Sequence, residues 1–285
     1  MKQTLHTNSA AYLLLCIIAA CTFQSCRYGI SEALNRGYEV SKRSTTITDI
    51  PTPIYAEGAD SYTCVILTDV HYGADKSRPD DRFLTWLDEK KTKPAFCLVL
   101  GDMAEHGEKS EFEQYKAFAD KIEERKVPVY GVVGNHDLYK TGWRYWKTYV
   151  KPYNSYYRFY TQNFAWYFLD SGNGTLGEPQ LQNMIREMQA DPRPKLVFTH
   201  YPVYGGGIFY FALSDTKERA LLIDTFARNN VKTVFTGHYH PGKPPFNFGS
   251  FSELVVKGFL DNAAWIELHV DETNAAVSWT EYGRN

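Results

Sequence analysis

Five short apolar runs along this chain each end in a cluster of metal-binding side chains. Asp69-Val70-His71 follows Tyr62 to Thr68, Gly101-Asp102 follows Ala95 to Leu100, and Gly134-Asn135-His136-Asp137 follows Val127 to Val133. Thr199-His200 closes the run from Lys195, and Gly237-His238-Tyr239-His240 closes the run from Val231 to Thr236. Five of the eight histidines fall inside these blocks. Histidine binds divalent metals through a neutral ring nitrogen, and carboxylates supply hard oxygen donors that can bridge two ions. So many donors of these types point to a dinuclear site assembled from residues far apart in sequence.

The runs alternate with helical patterns. Asp80 to Lys91 carries Phe83, Leu84, Trp86 and Leu87 at three-to-four spacing, and Ser110 opens a helix through Glu124 with Phe112, Tyr115, Phe118, Ala119 and Ile122 on one face. Ser110 and Glu113 have the spacing of a capping box. A strand at Phe164 to Leu169, a helix near Glu178 to Gln189 and a helix from Thr216 to Arg228 continue the alternation, which is that of a layered α/β domain with a largely parallel core. In such sheets, ligands gather outside the carboxyl ends of the strands, which is where every block stands. After Pro241 the pattern changes to short strands, Leu254 to Phe259, Ala264 to Val270 and Ala275 to Thr280, expected as antiparallel hairpins completing a second sheet.

The amino terminus reads as an export signal over residues 1–26. Lys2 precedes an apolar stretch, Ala10 to Ala20, too short to span a bilayer. Ile18-Ala19-Ala20-Cys21 is similar to a bacterial lipoprotein box, with Cys21 as the lipidated residue and Cys26 as a looser second candidate. The expectation is therefore an exported protein held at the cell envelope by an N-terminal lipid anchor. Residues 27–60, polar and without periodicity, read as a linker, and 61–285 as one catalytic domain. Cys64 and Cys97 sit in apolar runs and are expected as buried free thiols. With a formal charge of -2 and a pI near 6.5, the chain lacks the basic surface that drives nucleic-acid binding.

Taken together, the five blocks resemble the signature of calcineurin-like metallophosphoesterases, over Tyr62 to Pro241. The resemblance implies a two-sheet β-sandwich flanked by helices and a two-metal centre that hydrolyses phosphate esters. It implies Asp69, His71 and His240 on a first metal, Asn135, His200 and His238 on a second, and Asp102 bridging both. His136 would act as the general acid, with Asp137 orienting it. Glu105 stands where purple acid phosphatases place a metal-binding tyrosine, and His106 where the protein phosphatases place an arginine, so the match is closer to the phosphodiesterase-like branch. His106 and His269 lack ligand context and read as structural.

Two metals about 3.5 to 4 Å apart clamp the attacking and leaving oxygens of an in-line displacement and lower the pKa of bound water to roughly 7. A metal-bound hydroxide is then the expected nucleophile, and a small phosphate mono- or diester the expected substrate. Oxygen and imidazole donors accept Mn, Fe or Zn. A non-catalytic metal-binding surface lipoprotein and a pyrophosphohydrolase of nucleotide or lipid diphosphates are the alternatives. Aromatic content is 15%, with 21 tyrosines and 6 tryptophans. The dense stretch from Trp143 to Tyr160 reads mainly as core, while Gly205-Gly206-Gly207, close after His200 and Tyr204, suggests a mobile loop or a close backbone approach.

Overall fold

The computed structural model describes residues 39–283. Two sheets pack face to face with helices on both outer sides. The seven-stranded sheet has the order β1-β5-β6-β7-β8-β10-β9 and the five-stranded sheet the order β12-β11-β2-β3-β4. The strands are β1 (Thr48–Asp49), β2 (Ser61–Leu67), β3 (Cys97–Leu100), β4 (Val129–Val132), β5 (Tyr157–Tyr160), β6 (Ala165–Phe168), β7 (Lys195–Phe198), β8 (Val231–Thr236), β9 (Lys243–Asn247), β10 (Ser252–Val255), β11 (Trp265–Asp271) and β12 (Ala276–Tyr282). β2, β3 and β4 run parallel, as do β6, β7, β8 and β10.

The inner strands are mainly apolar, β3 and β6 at every position, because each of their faces is covered. Side chains alternate along a strand, so Cys64, Ile66, Leu98 and Leu100 point between the sheets, while Val65, Leu67, Cys97 and Val99 point to the helices. Helices α1 (Asp80–Glu89), α2 (Lys109–Glu124) and α3 (Gly142–Tyr149) cover the five-stranded sheet through Phe83, Leu87, Phe112, Phe118 and Trp146. Helices α4 (Glu178–Ala190) and α5 (Thr216–Arg228) cover the other sheet through Met184, Met188, Leu222 and Phe226. Cys64 and Cys97 are buried free thiols.

Much of the aromatic content is spent between the sheets. Rings from four adjacent strands form a stacked row: Tyr157 on Phe168 at 4.3 Å, Trp166 and Phe168 on Phe198 at 5.3 and 5.0 Å, and Phe198 on Phe235 at 5.3 Å. Trp146, Tyr156, Tyr157 and Phe159 are buried, so the stretch from Trp143 to Tyr160 is mainly packing, as its composition implies.

Three expectations are corrected. The expected linker is part of the fold from residue 39 onward: β1 adds to the edge of the seven-stranded sheet beside β5, and buried Arg43 pairs with Asp170 at 2.7 Å. The three carboxyl-terminal strands do not share one sheet. β10 joins β8 in parallel, Phe259–Asn262 is a short helix (α6), and only β11 and β12 form the hairpin that completes the five-stranded sheet against β2. The capping box of α2 uses Glu108 and Glu111 instead of Ser110 and Glu113, because the Glu111 carboxylate is drawn to the backbone N–H groups of His106 and Glu108. The leader, including Cys21 and Cys26, lies outside the described residues.

Candidate metal centre

All five blocks meet at one end of the sandwich, at the carboxyl ends of strands from both sheets. Asp69, His71, Asp102 and Asn135 come from the loops after β2, β3 and β4, while His200, His238 and His240 come from those after β7 and β8. The loops after β2 and β3 stay paired beyond the strands. Asp69 N–H donates to the Gly101 carbonyl at 3.1 Å, and His71 N–H to the Asp102 carbonyl at 2.9 Å. Pairing there requires sharp turns: Asp69, His71, Asp102 and His238 have φ of 55, 44, 54 and 66°. Left-handed backbone at a non-glycine residue costs roughly 1–3 kcal/mol and persists where surrounding contacts over-determine it. Two glycines make room. Gly101, at φ 94°, stands so close to His200 Nδ1 that a Cβ would overlap it, and a Cβ on Gly134 would overlap the Asp102 carboxylate.

Three residue groups bring one ligand atom each to within 4.8 Å: Asp69, His71 and His240; His71, Asp102 and His136; Asp102, His200 and His238. The first and third are the two expected ligand sets joined by Asp102, and Asn135 Oδ1 stands 3.1 Å from His200 Nε2. Hydrogen-bond bookkeeping shows that these groups fit cations. His71 Nδ1 stands 2.8 Å from a Glu105 carboxylate oxygen, and His240 Nδ1 stands 2.5 Å from Asp261 Oδ2, so a carboxylate lies beside each Nδ1 and Nε2 is turned to the centre. Their two Nε2 atoms then face each other at 3.2 Å. Asp69 Oδ1, buried and accepting no hydrogen bond, stands 3.2 Å from the Nε2 of His240 and 3.8 Å from that of His71. In the second set, His200 Nδ1 donates to the Leu100 carbonyl at 2.7 Å, which turns Nε2 toward Asn135 Oδ1 and, at 3.3 Å, Asp102 Oδ2. Deprotonated, these converging nitrogen and oxygen atoms repel unless a cation sits among them; without one, protons on the rings take its place. Imidazoles fixed through their second nitrogen by carboxylate or carbonyl are what metal-ligating histidines require.

The charges of this cluster also shift one another. Burial disfavours the charged ring of His200, but the adjacent Asp102 carboxylate outweighs it and raises the pKa to about 9. At His240 burial is likewise opposed, and outweighed by Asp69, giving about 9. His238 is pushed down to about 3 by burial and by its neighbour His200. Burial alone would raise Asp69, yet His240 and His71 hold it well below the ordinary carboxylate range.

Asp137 departs from its expected role. Its carboxylate accepts four backbone N–H groups, from Asp102 at 3.0 Å, Met103 at 2.8 Å, Ala104 at 3.0 Å and Gly134 at 2.9 Å. It knits the loops after β3 and β4 together and does not orient the ring of His136. That ring is held through Nδ1, which donates to the Glu105 carbonyl at 2.7 Å, while its backbone N–H donates to Asp102 Oδ1 at 2.9 Å. His136 is half-buried beside His71, ring centres 4.8 Å apart.

Sequence reasoning missed two supports. Glu105 holds His71 with its carboxylate and His136 with its carbonyl, and only its place next to the second block hinted at this. Asp261, which holds His240, carries no sequence signal, because its stretch has neither motif nor strand pattern. His106 pairs with Glu111 at 2.8 Å and His269 lies exposed on β11, and neither belongs to any of the three groups.

Known proteins share this family and fold. The sequence model of the calcineurin-like phosphoesterase family matches residues 62–242. A Fibrobacter succinogenes protein named "Probable cyclic nucleotide phosphodiesterase" is 30% identical over 184 residues, covering 61% of this chain and 71% of the relative. Human serine/threonine-protein phosphatase CPPED1 is 29% identical over 170 residues, 52% of this chain and 54% of its own length. Among solved structures, a dimetal phosphatase from Danio rerio superposes with a TM-score of 0.59 at 15% identity, covering 78% of this chain and 99% of that one. The purple acid phosphatase PPD1 of yellow lupin gives 0.52 at 12% identity, covering 81% and 55%. Both structures share the fold of two sheets flanked by helices, and the family match carries the activity class: this chain is a calcineurin-like phosphoesterase, a hydrolase of phosphoric esters.

Proposed function

We propose that the chain hydrolyses phosphate mono- or diesters at a dinuclear centre held by Asp69, His71 and His240 on one side, by Asn135, His200 and His238 on the other, and by Asp102 between them. The observation that carries this reading is the convergence of the Nε2 atoms of His71 and His240, 3.2 Å apart, on the buried Asp69 Oδ1, while a carboxylate stands beside each Nδ1. When bound, two divalent ions supply the Lewis acidity that activates water and neutralises charge on the phosphoryl group. The donor set of imidazole, carboxylate and amide oxygen, without thiolate, suits Mn, Fe or Zn.

The protein's own groups do the rest. Asp102, buried and oriented by the His136 N–H, sets the spacing of the two halves. His136, fixed through Nδ1, can carry a proton on Nε2 and give it to the leaving oxygen. A positioned histidine acting in this way contributes on the order of 10²–10⁴-fold. Glu105 supports both His71 and His136, which couples the ligand shell to the acid. The name of the Fibrobacter succinogenes relative supports a diester as one substrate class.

Protein loaded with Mn, Fe or Zn and assayed on paired mono- and diester aryl phosphates should turn over only with metal. Asp102→Ala should lose both metal content, measured by elemental analysis, and turnover. His136→Ala should keep its metal and lose most of kcat. Turnover in Asp102→Ala equal to wild type would sink the two-metal reading, and metal binding without hydrolysis of any phosphate ester would favour a binding module. The exported, lipid-anchored localisation at Cys21 is supported by the leader sequence, and the mass of the mature N-terminal peptide from cells tests it: an unlipidated terminus would refute it.

A further inference from the structure

The loops that deliver His200 and His238 also deliver aromatic surface. Tyr201 lies against His238 with ring centres 4.0 Å apart, and Phe211 stands 5.9 Å from His238 and 5.0 Å from Tyr239. The surface continues through Tyr204, which packs on Phe246 at 4.6 Å and Phe209 at 5.9 Å. Burial is the usual fate of large aromatics, yet Phe209, Tyr210 and Phe211 are 59, 100 and 42% exposed. Packing therefore does not explain them.

Their presentation is built. Glu253 on β10 is buried, and its carboxylate accepts the N–H groups of Val203 at 2.6 Å, Tyr204 at 3.1 Å and Gly205 at 2.7 Å. Leu213 N–H donates to the Pro202 carbonyl at 2.8 Å and closes the neck of the loop. Beyond that neck Gly205, Gly206 and Gly207 have φ of 58, 65 and 94°, a path that glycine takes at no steric cost. The chain thus leaves a fixed base, turns sharply and displays Phe209 to Phe211 (a single 3-10 turn) next to the metal-facing histidine.

We propose that Phe211 and Tyr239, presented by this Glu253-anchored glycine turn, form the recognition surface for the nucleobase of a nucleotide ester whose phosphate sits at the metal centre. The inference rests on the phosphoesterase reading above. A flat ring finds aromatic faces within about one ring diameter of His238, and base stacking on such faces is strong and tolerant of base identity. A lipid surface is the weaker reading, because the aromatic run leads inward to His238. Glu253 acts as a positioning residue, since it touches only the backbone of the loop.

Titration calorimetry of the metal-loaded protein with AMP and with ribose 5-phosphate isolates the base. Wild type should bind AMP at least tenfold more tightly. Phe211→Ala should bring that ratio near one without changing the affinity for ribose 5-phosphate, and Phe211→Trp should keep it. Glu253→Gln should lower the ratio and raise KM for an aryl diester while leaving kcat unchanged, a split that general destabilisation would not produce. Tyr210→Ala, on the same turn but outside the ring cluster, should behave as wild type.

A wild-type ratio near one, or an unchanged ratio in Phe211→Ala, would overturn the proposal. So would phenyl phosphate binding as tightly as AMP, which would assign the surface to a small aryl group. Loss of binding to phosphatidylglycerol vesicles in Phe211→Ala with the ratio intact would make the turn a membrane contact instead. Discrimination for AMP without hydrolysis of any ester would refute the phosphoesterase reading and leave this one standing; if neither ligand binds, both fall.

Discussion

At the scale of single residues, neighbours in sequence have separate tasks. His136 and Asp137 stand side by side, yet one faces the centre and the other is spent on four backbone N–H groups. Burial and the nearby Asp102 push the Asp137 pKa up, to about 7, against the pull of those donors. Asp137→Asn would place an amide N–H₂ against two of the N–H groups. Leaving buried donors unpaired costs about 1–3 kcal/mol each, so this variant should lower the denaturation midpoint markedly. His136→Ala should leave the midpoint nearly unchanged while kcat falls. Equal stability of the two variants, with equal loss of kcat, would restore Asp137 to the role of orienting the acid. Sequence motifs name residue types and their order; the partner of a carboxylate depends on backbone that folds back to it.

At the scale of elements, the strands buried on both faces were legible to within a residue or two, because uninterrupted apolar runs bounded by glycine and polar residues admit few other readings. β1 was not, being two residues long in a polar stretch. Its attachment comes from a contact 127 residues away in sequence, the bidentate pairing of Arg43 with Asp170. Both side chains are nearly fully buried. Removing one partner of a buried pair leaves an uncompensated charge and costs about 3–5 kcal/mol. Arg43→Ala should therefore lower Tm strongly, as should any truncation that begins at Ser61. A Tm unchanged in Arg43→Ala would show that residues 39–60 are the passive tether that their composition suggests.

At the scale of the whole molecule, the centre lies across the sandwich. Blocks from one sheet supply Asp69, Asp102 and Asn135, blocks from the other supply His200 and His238, and neither sheet alone completes a candidate metal set. Stability and metal content should then be linked through pH. His200 and His240 stand at about 9, above the ordinary 6.5, as long as no cation replaces their protons. A raised folded-state pKa gives stability that is complete below the unfolded value and is lost as pH rises through the folded one. Chelator-treated protein should lose stability between about pH 6.5 and 9, measured as urea midpoints, whereas metal-loaded protein should not. Metal uptake at about pH 7.5 should release protons, seen as buffer-dependent heats in calorimetry. A flat profile after chelation, with no proton release, would contradict the coupling.

By itself the sequence determined the layered α/β class, the strand ends at which chemistry collects, the seven expected ligand residues and the resemblance that they carry. These follow from local patterning, because apolar periodicity and short donor motifs are properties of consecutive residues. Only the tertiary structure decided that Asp137 braces backbone, that Glu105 and Asp261 hold the histidines, that residues 39–60 are folded, and that an aromatic turn anchored by Glu253 stands beside His238. Each of these is a contact between segments that share no motif, and a hydrogen bond closed across such a distance leaves no trace in the order of the residues that make it.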